Sequence, residues 1–173
     1  MMSAQHEIVL DGVEKRFAGM DQPAVASLST RIASGAVMGL VGPDGAGKTT
    51  LIRMLAGLLK PSAGTVSVVG LDPLTQDSEL HAILGYMPQK FGLYEDLTVI
   101  ENLTLYADLR GVIGEERRKT FERLLKFTDL TRFTERLAGK LSGGMKQKLG
   151  LACTLGGEPK VLLLDEPGVG VDP

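Results

Sequence analysis

The stretch GPDGAGKTT at residues 42–50 limits this chain to few folds. Gly42–Thr49 fit the spacing G-x-x-x-x-G-K-[ST]. Glycines there let the backbone curl until successive N–H groups point inward at phosphate oxygens. Such a loop works where a strand feeds a helix, because the helix N-terminus adds partial positive charge. The flanks supply both elements. VMGLV (37–41) is a short continuous apolar run, as expected of a strand buried on both faces. A helix is predicted from Lys48 to about Leu59, stopped by Pro61. Lys48 is placed to reach the β- and γ-phosphates of a nucleotide, and the Thr49 hydroxyl can ligate Mg2+. The plainer alternative, a glycine-rich turn before a capped helix, leaves the strand–loop–helix setting unexplained.

The rest of the chain extends the same α/β pattern. Apolar alternation predicts strands at 7–13 and 24–32, with a turn at Gly35, and another strand at 65–70. A short helix over 77–82 leads to a strand near 83–87. From Phe91 to Gly157 the character changes to helices. Thr98 and Glu101 form a capping box opening TVIENLTLYADL, 115–127 is amphipathic, and 142–155 is a third helix whose Met145, Leu149 and Ala152 share one face. Gly156, Gly157 and Pro159 end it, and KVLLLDEP (160–167) is a strand again. A helical insertion therefore interrupts an α/β core.

Composition sets further bounds. With 173 residues, 43% hydrophobic and 23% charged, the chain suits one folded domain. The net charge of −2 argues against a nucleic-acid module held by bulk electrostatics, and no nucleic-acid partner is expected. The longest apolar runs span only a few residues, too short for a bilayer, and the first residues show no basic-then-apolar signal pattern. Cys153, the single cysteine, excludes an internal disulfide and is expected to be a small core filler. The two histidines, His6 and His81, do not suggest a metal site.

The segment LSGGMKQKLG (141–150) poses a second phosphate question. A Ser-Gly-Gly before a helix is ordinarily just an N-cap. The other predicted helix starts, however, carry acids in their first turns: Glu101; Glu115 and Glu116; Asp77 and Glu79. Those carboxylates satisfy the positive helix end internally. The helices at Lys48 and Ser142 have none, and carry Lys48 and Arg53, and Lys146 and Lys148. Both are suited to an outside anion. At the end of the last strand stand Asp165 and Glu166, where ligands of open α/β sheets bind. Asp165 can hold Mg2+ through its waters, and Glu166 can orient or deprotonate an attacking water. An ordinary acidic turn is the alternative.

With these residues in view, the chain resembles the ATP-binding subunit of ABC transporters over essentially its whole length. GPDGAGKT looks like Walker A, LSGGMKQ like the ABC signature and VLLLDEP like Walker B. The wording is closest to bacterial ABC-2-type drug-efflux ATPases. The resemblance implies a P-loop NTPase fold: a RecA-like parallel-sheet core, an N-terminal antiparallel β-subdomain and an inserted α-helical subdomain. Residues 1–88 and 158–173 would form the catalytic core with its β-subdomain, and 89–157 the helical signature subdomain. It implies that ATP and Mg2+ are the cofactors. Nucleotide contacts would come from Phe17, Gly42, Pro43, Asp44, Gly45, Ala46, Gly47, Lys48, Thr49 and Thr50, with Ser142, Gly143 and Gly144 addressing a second nucleotide. Phe17 falls at the position of an adenine-stacking aromatic, although a core phenylalanine at a strand end would read the same. Gln89 falls at the Q-loop. The implied catalytic residues are Glu166, Lys48 and Gln89, and the implied metal ligands Thr49, Gln89 and Asp165. GVGVDP places Asp172 at the D-loop.

Further expectations follow from the resemblance. The partners are a second ABC ATPase domain, paired head to tail as a separate chain or fused in the same full-length chain, and membrane permease subunits. ATP would sit between Walker A of one domain and the signature of the other. The protein would be cytoplasmic and peripheral on the inner face of the cell membrane, driving efflux of drugs or other small molecules. The segment KFGLYEDLT (90–98) would couple to a membrane subunit, or its aromatics would pack within the helical subdomain. Two departures stand out. Gly168 replaces the usual Thr or Ser after Glu-Pro, and the family's next strand with its switch histidine does not follow Pro173. The chain is thus expected to be incomplete at its C-terminus, with negligible ATPase activity when isolated as 1–173. A regulatory half-site that binds ATP but hydrolyses little is the alternative. A soluble ABC protein of translation or DNA repair is disfavoured by the acidic charge balance and the lack of long charged helices.

Overall fold

The computed structural model describes residues 7–168. They fall into two compact units, divided between His81 and Ala82.

The first unit is built on a three-stranded antiparallel sheet. Strand β1 (Ile8–Lys15) lies between β2 (Val25–Ile32) and β3 (Ala63–Val68). Ile8 stands opposite Ile32 on one side and Val68 on the other. The inward residues Leu10, Val13, Val66 and Val68 are buried, and each such side chain is worth roughly 1.5–3 kcal/mol against exposure. Helix α1 (Lys48–Leu55) turns Leu51, Met54 and Leu55 inward. It stops well before Pro61. Gly57 takes a left-handed φ of +73°, its N–H bonds the Met54 carbonyl, and the Leu58 N–H bonds that of Arg53. That pairing is a Schellman motif, so glycine rather than proline ends this helix.

One expected element is absent. Residues 37–41 form no strand, and Val37, Met38, Leu40 and Val41 are exposed. A strand is defined by its ladder partner as much as by its side chains. Among the described residues none is hydrogen-bonded to this run as a ladder, so its backbone stays irregular.

Helix α2 (Asp77–Ile83) leads into the second unit. There β4 (Leu84–Met87) pairs in parallel with β5 (Val161–Leu164), Leu84 opposite Val161 and Met87 opposite Leu164. Between them in sequence lie α3 (Val99–Leu109), α4 (Gly114–Phe127) and α5 (Gly143–Leu155), with short 3-10 turns at Thr131–Phe133 and Ala138–Lys140. The capping box holds in both directions. The Thr98 hydroxyl accepts from the Glu101 N–H, and the Glu101 carboxylate accepts from the Thr98 N–H at 2.7 Å. Val99, Leu103 and Ala107 of α3 meet Phe121, Leu124 and Leu125 of α4 and Leu149, Ala152 and Cys153 of α5 in one apolar core. Those positions recur at three- and four-residue spacing, which makes the insertion a small helical bundle. Burial pushes the Cys153 thiol far above its ordinary range, consistent with a core filler and not with a nucleophile. Among the described residues no helix is long and apolar enough to cross a membrane.

Candidate nucleotide site

The first unit carries the glycine-rich loop at 42–50. Gly47 is the N-cap of α1 with φ 84°, and a Cβ placed on it would lie 2.1 Å from the Ala24 carbonyl oxygen and 3.2 Å from Val25 Cγ2. Only glycine permits both that φ and that approach. The start of β2 therefore fixes the loop against the sheet. The Lys48 ammonium folds back over the loop and donates to the carbonyl oxygens of Gly42 at 2.9 Å and Pro43 at 3.0 Å. No acid stands in the first turn of α1. Gly42, Pro43, Asp44, Gly45, Ala46, Thr49 and Thr50 occupy an exposed or half-buried stretch around this helix start.

Phe17 lies on the same unit, just beyond β1, and is 40% exposed. A core phenylalanine would be buried, so that alternative fails. The Lys15 ammonium lies 5.2 Å from the centre of its ring.

The second unit carries the acidic strand end and the second helix start. Past the parallel pair, the Asp165 N–H donates to the Met87 carbonyl at 2.9 Å, and Asp165 is buried. One residue on, Glu166 takes a φ of +51°, uncommon for a non-glycine residue. The Gln89 side-chain amide donates to the Glu166 carboxylate at 2.8 Å. Among the described residues there is no cluster of three His, Cys, Asp or Glu side chains suited to a metal. The expected ligands are instead oxygen donors of mixed kind. With its nitrogen turned to Glu166, the side-chain carbonyl oxygen of Gln89 is left as an acceptor.

At α5, Ser142 is the N-cap and its hydroxyl accepts from the Met145 N–H at 3.3 Å. The plain N-cap role is thus real. It uses the oxygen as acceptor and leaves the hydroxyl proton to donate. α5 has no acid in its first turn, whereas α2, α3 and α4 all do. Lys146 instead pairs with Glu95 at 2.7 Å, a carboxylate brought in from the loop before α3. That loop also divides the aromatics of 90–98. Phe91 packs against Tyr106, ring centres 5.0 Å apart, while Tyr94 is exposed. Asp172 lies outside the described residues.

Two residues escape sequence reasoning. Buried Asn102 donates to the carbonyls of Tyr94, Leu97 and Thr98 and accepts from the Tyr94 N–H, shaping the loop before α3. Its signal was a polar residue within an apolar helix stripe. Lys15 gave no signal, since nothing in its spacing shows what its ammonium meets.

The chain matches known proteins over most of its length. Residues 25–169 match the family model described as ABC transporter. The chain is 75% identical over 166 residues to the probable multidrug ABC transporter ATP-binding protein YbhF of Escherichia coli, covering 96% of this chain and 29% of YbhF. It is 41% identical over 177 residues to ABC transporter A family member 7 of Arabidopsis thaliana, covering 99% of this chain and 19% of that protein. Among solved structures, an ATP-binding subunit of an ABC transporter superposes with a TM-score of 0.84 at 29% identity, covering 96% of this chain and 68% of that one. The bacterial ABC transporter cassette MJ0796, solved as a dimer, gives 0.82 at 31% identity over 95% of this chain and 76% of its own. The chain belongs to the ABC transporter family, as a part of its ATP-binding cassette.

Proposed function

We propose that this chain binds and hydrolyses Mg-ATP as a cassette of an export system, and that hydrolysis drives efflux of drugs or other small molecules through separate membrane subunits. The observation that carries this is the pair of acid-free helix starts, α1 behind its glycine–lysine loop and α5 behind Leu-Ser-Gly-Gly. Each suits a phosphate, and two phosphate sites in one cassette make sense when each serves a different nucleotide. MJ0796 is dimeric and was also solved in a post-hydrolysis state with ADP and Pi. Identity to YbhF, a probable multidrug transporter protein, supports the export role.

Within this reading, Gly42 to Thr50 cradle the phosphates, Lys48 pairs with the terminal ones and Phe17 stacks on adenine. Ser142, Gly143 and Gly144 face the nucleotide held by a second cassette, which is paired head to tail, either as a separate chain or fused in the same full-length chain. Thr49 in the first unit and Gln89 and Asp165 in the second are the oxygen donors that would serve Mg2+, Asp165 through its waters. When bound, the ion neutralises phosphate charge. Glu166 accepts the proton of the attacking water, and Gln89 orients its carboxylate. Residues 89–157 form the signature subdomain, whose exposed Tyr94 faces a membrane subunit at the inner face of the cell membrane.

The test is ATP binding by Lys48→Ala in the full-length protein. Charge-assisted bonds worth roughly 1.5–3 kcal/mol each are removed, so affinity falls tenfold or more, as about 1.4 kcal/mol is a factor of ten. Binding equal to that of the parent would refute the assignment.

A further inference from the structure

The cation beside Phe17 is part of a built arrangement. The Lys15 ammonium lies 5.2 Å from the ring centre, within the range of a cation–π contact, and donates to the Lys60 carbonyl oxygen at 2.7 Å. Lys60 follows the phosphate-loop helix α1. Two residues on, the Ser62 N–H bonds the Glu14 carbonyl at 2.7 Å, while the Ser62 hydroxyl accepts from the Arg16 N–H at 3.0 Å and donates to the Arg16 carbonyl at 3.3 Å. Segment 60–62 therefore grips the chain on both sides of Lys15. The neighbouring cation is directed elsewhere, since the Arg16 guanidinium pairs with Glu14. The phosphate loop is tied to the same place, because Lys15 stands opposite Val25 in the sheet and Gly47 packs on Ala24 and Val25.

We propose that Lys15 is the positioning residue of the adenine platform: its ammonium, anchored on the Lys60 carbonyl, covers one face of the Phe17 ring and leaves the opposite face for the purine. This rests on Phe17 being the adenine platform. The consequence is chemical as well as steric. A cation on one face draws π density toward itself and improves the other face as a partner for an electron-rich ring. Because the anchor lies just past α1, platform and phosphate loop are held at one spacing, which suits a purine linked to a triphosphate over a bare polyphosphate.

The experiment compares Mg-ATP with Mg-tripolyphosphate, by calorimetry, on the full-length protein and three variants, with thermal melts confirming that each is folded. Lys15→Gln is expected to weaken ATP about two- to fivefold, the range of an exposed cation–π contact, and to leave tripolyphosphate unchanged. Lys15→Arg restores ATP binding, since a guanidinium supplies both the charge and the donor. Phe17→Ala abolishes the preference for ATP. If Lys15→Gln weakens both ligands equally, or neither, while Phe17→Ala removes the preference, the role of Lys15 is overturned and the platform stands. If Phe17→Ala keeps the preference, the platform is wrong and the role of Lys15 falls with it.

Discussion

Gln89 and Glu166 are joined by a 2.8 Å hydrogen bond although 77 positions separate them. The sheet dictates the meeting. Met87 and Leu164 are partners in the parallel ladder, and Gln89 and Glu166 each lie two positions past the end of their own strand. A parallel register thus carries the amide to the carboxylate after the whole helical insertion has intervened. Glu166→Gln in the full-length protein is expected to retain ATP and lose hydrolysis by about 10²-fold or more, the scale of a general base. Size-exclusion chromatography with ATP should then show a persistent closed pair of cassettes. Parental turnover in this variant would remove Glu166 from the reaction.

The capping box of α3 supplies a pH-dependent element. The N–H and hydroxyl of Thr98 hold the Glu101 carboxyl below the usual carboxylate range. A depressed carboxylate stabilises the fold at pH above its unfolded pKa, and the contribution disappears as pH falls through the lower folded value. Thr98→Ala should cost about 1 kcal/mol at neutral pH, the typical value of an N-cap, seen as a lowered melting temperature. The deficit should shrink on acidification. A deficit that grows in acid would show that Glu101 does not favour its charged form there.

Exposed Val37, Met38, Leu40 and Val41 form an apolar stretch without a ladder partner among the described residues. Purified 1–173 is therefore expected to associate with rising concentration, as unpaired apolar backbone invites pairing with another chain. Replacing Val37 and Val41 by Lys should reduce that association in sedimentation velocity. Equal association of the charged variant would place the sticky surface elsewhere.

Much of this is legible in the sequence. Local rules suffice where a feature depends on neighbours in sequence: the capping box at Thr98, the acid-free starts of α1 and α5, and the existence of β1 to β3, whose antiparallel pairing is implied only by the resemblance. Sequence reasoning fell short where the partner is distant. The run at 37–41 has a buried strand's composition, but composition does not supply a ladder. Pro61 reads as the stop of α1, yet Gly57 adopts the left-handed turn and packs against Pro73. The Lys15 contact with Phe17 depends on a carbonyl 45 positions away. Phe17 and Gln89 stand out in the sequence only through the resemblance.

The central claim is that Lys48 and Ser142 act on different nucleotides. Photolabelling with 8-azido-ATP, followed by identification of the labelled peptide around Phe17, tests it in the full-length protein. Lys48→Ala should abolish labelling of that peptide, while Ser142→Arg should retain it and still block ATP-driven closure with a second cassette. Loss of labelling in both variants would mean that the two helix starts serve one nucleotide, and would contradict the account.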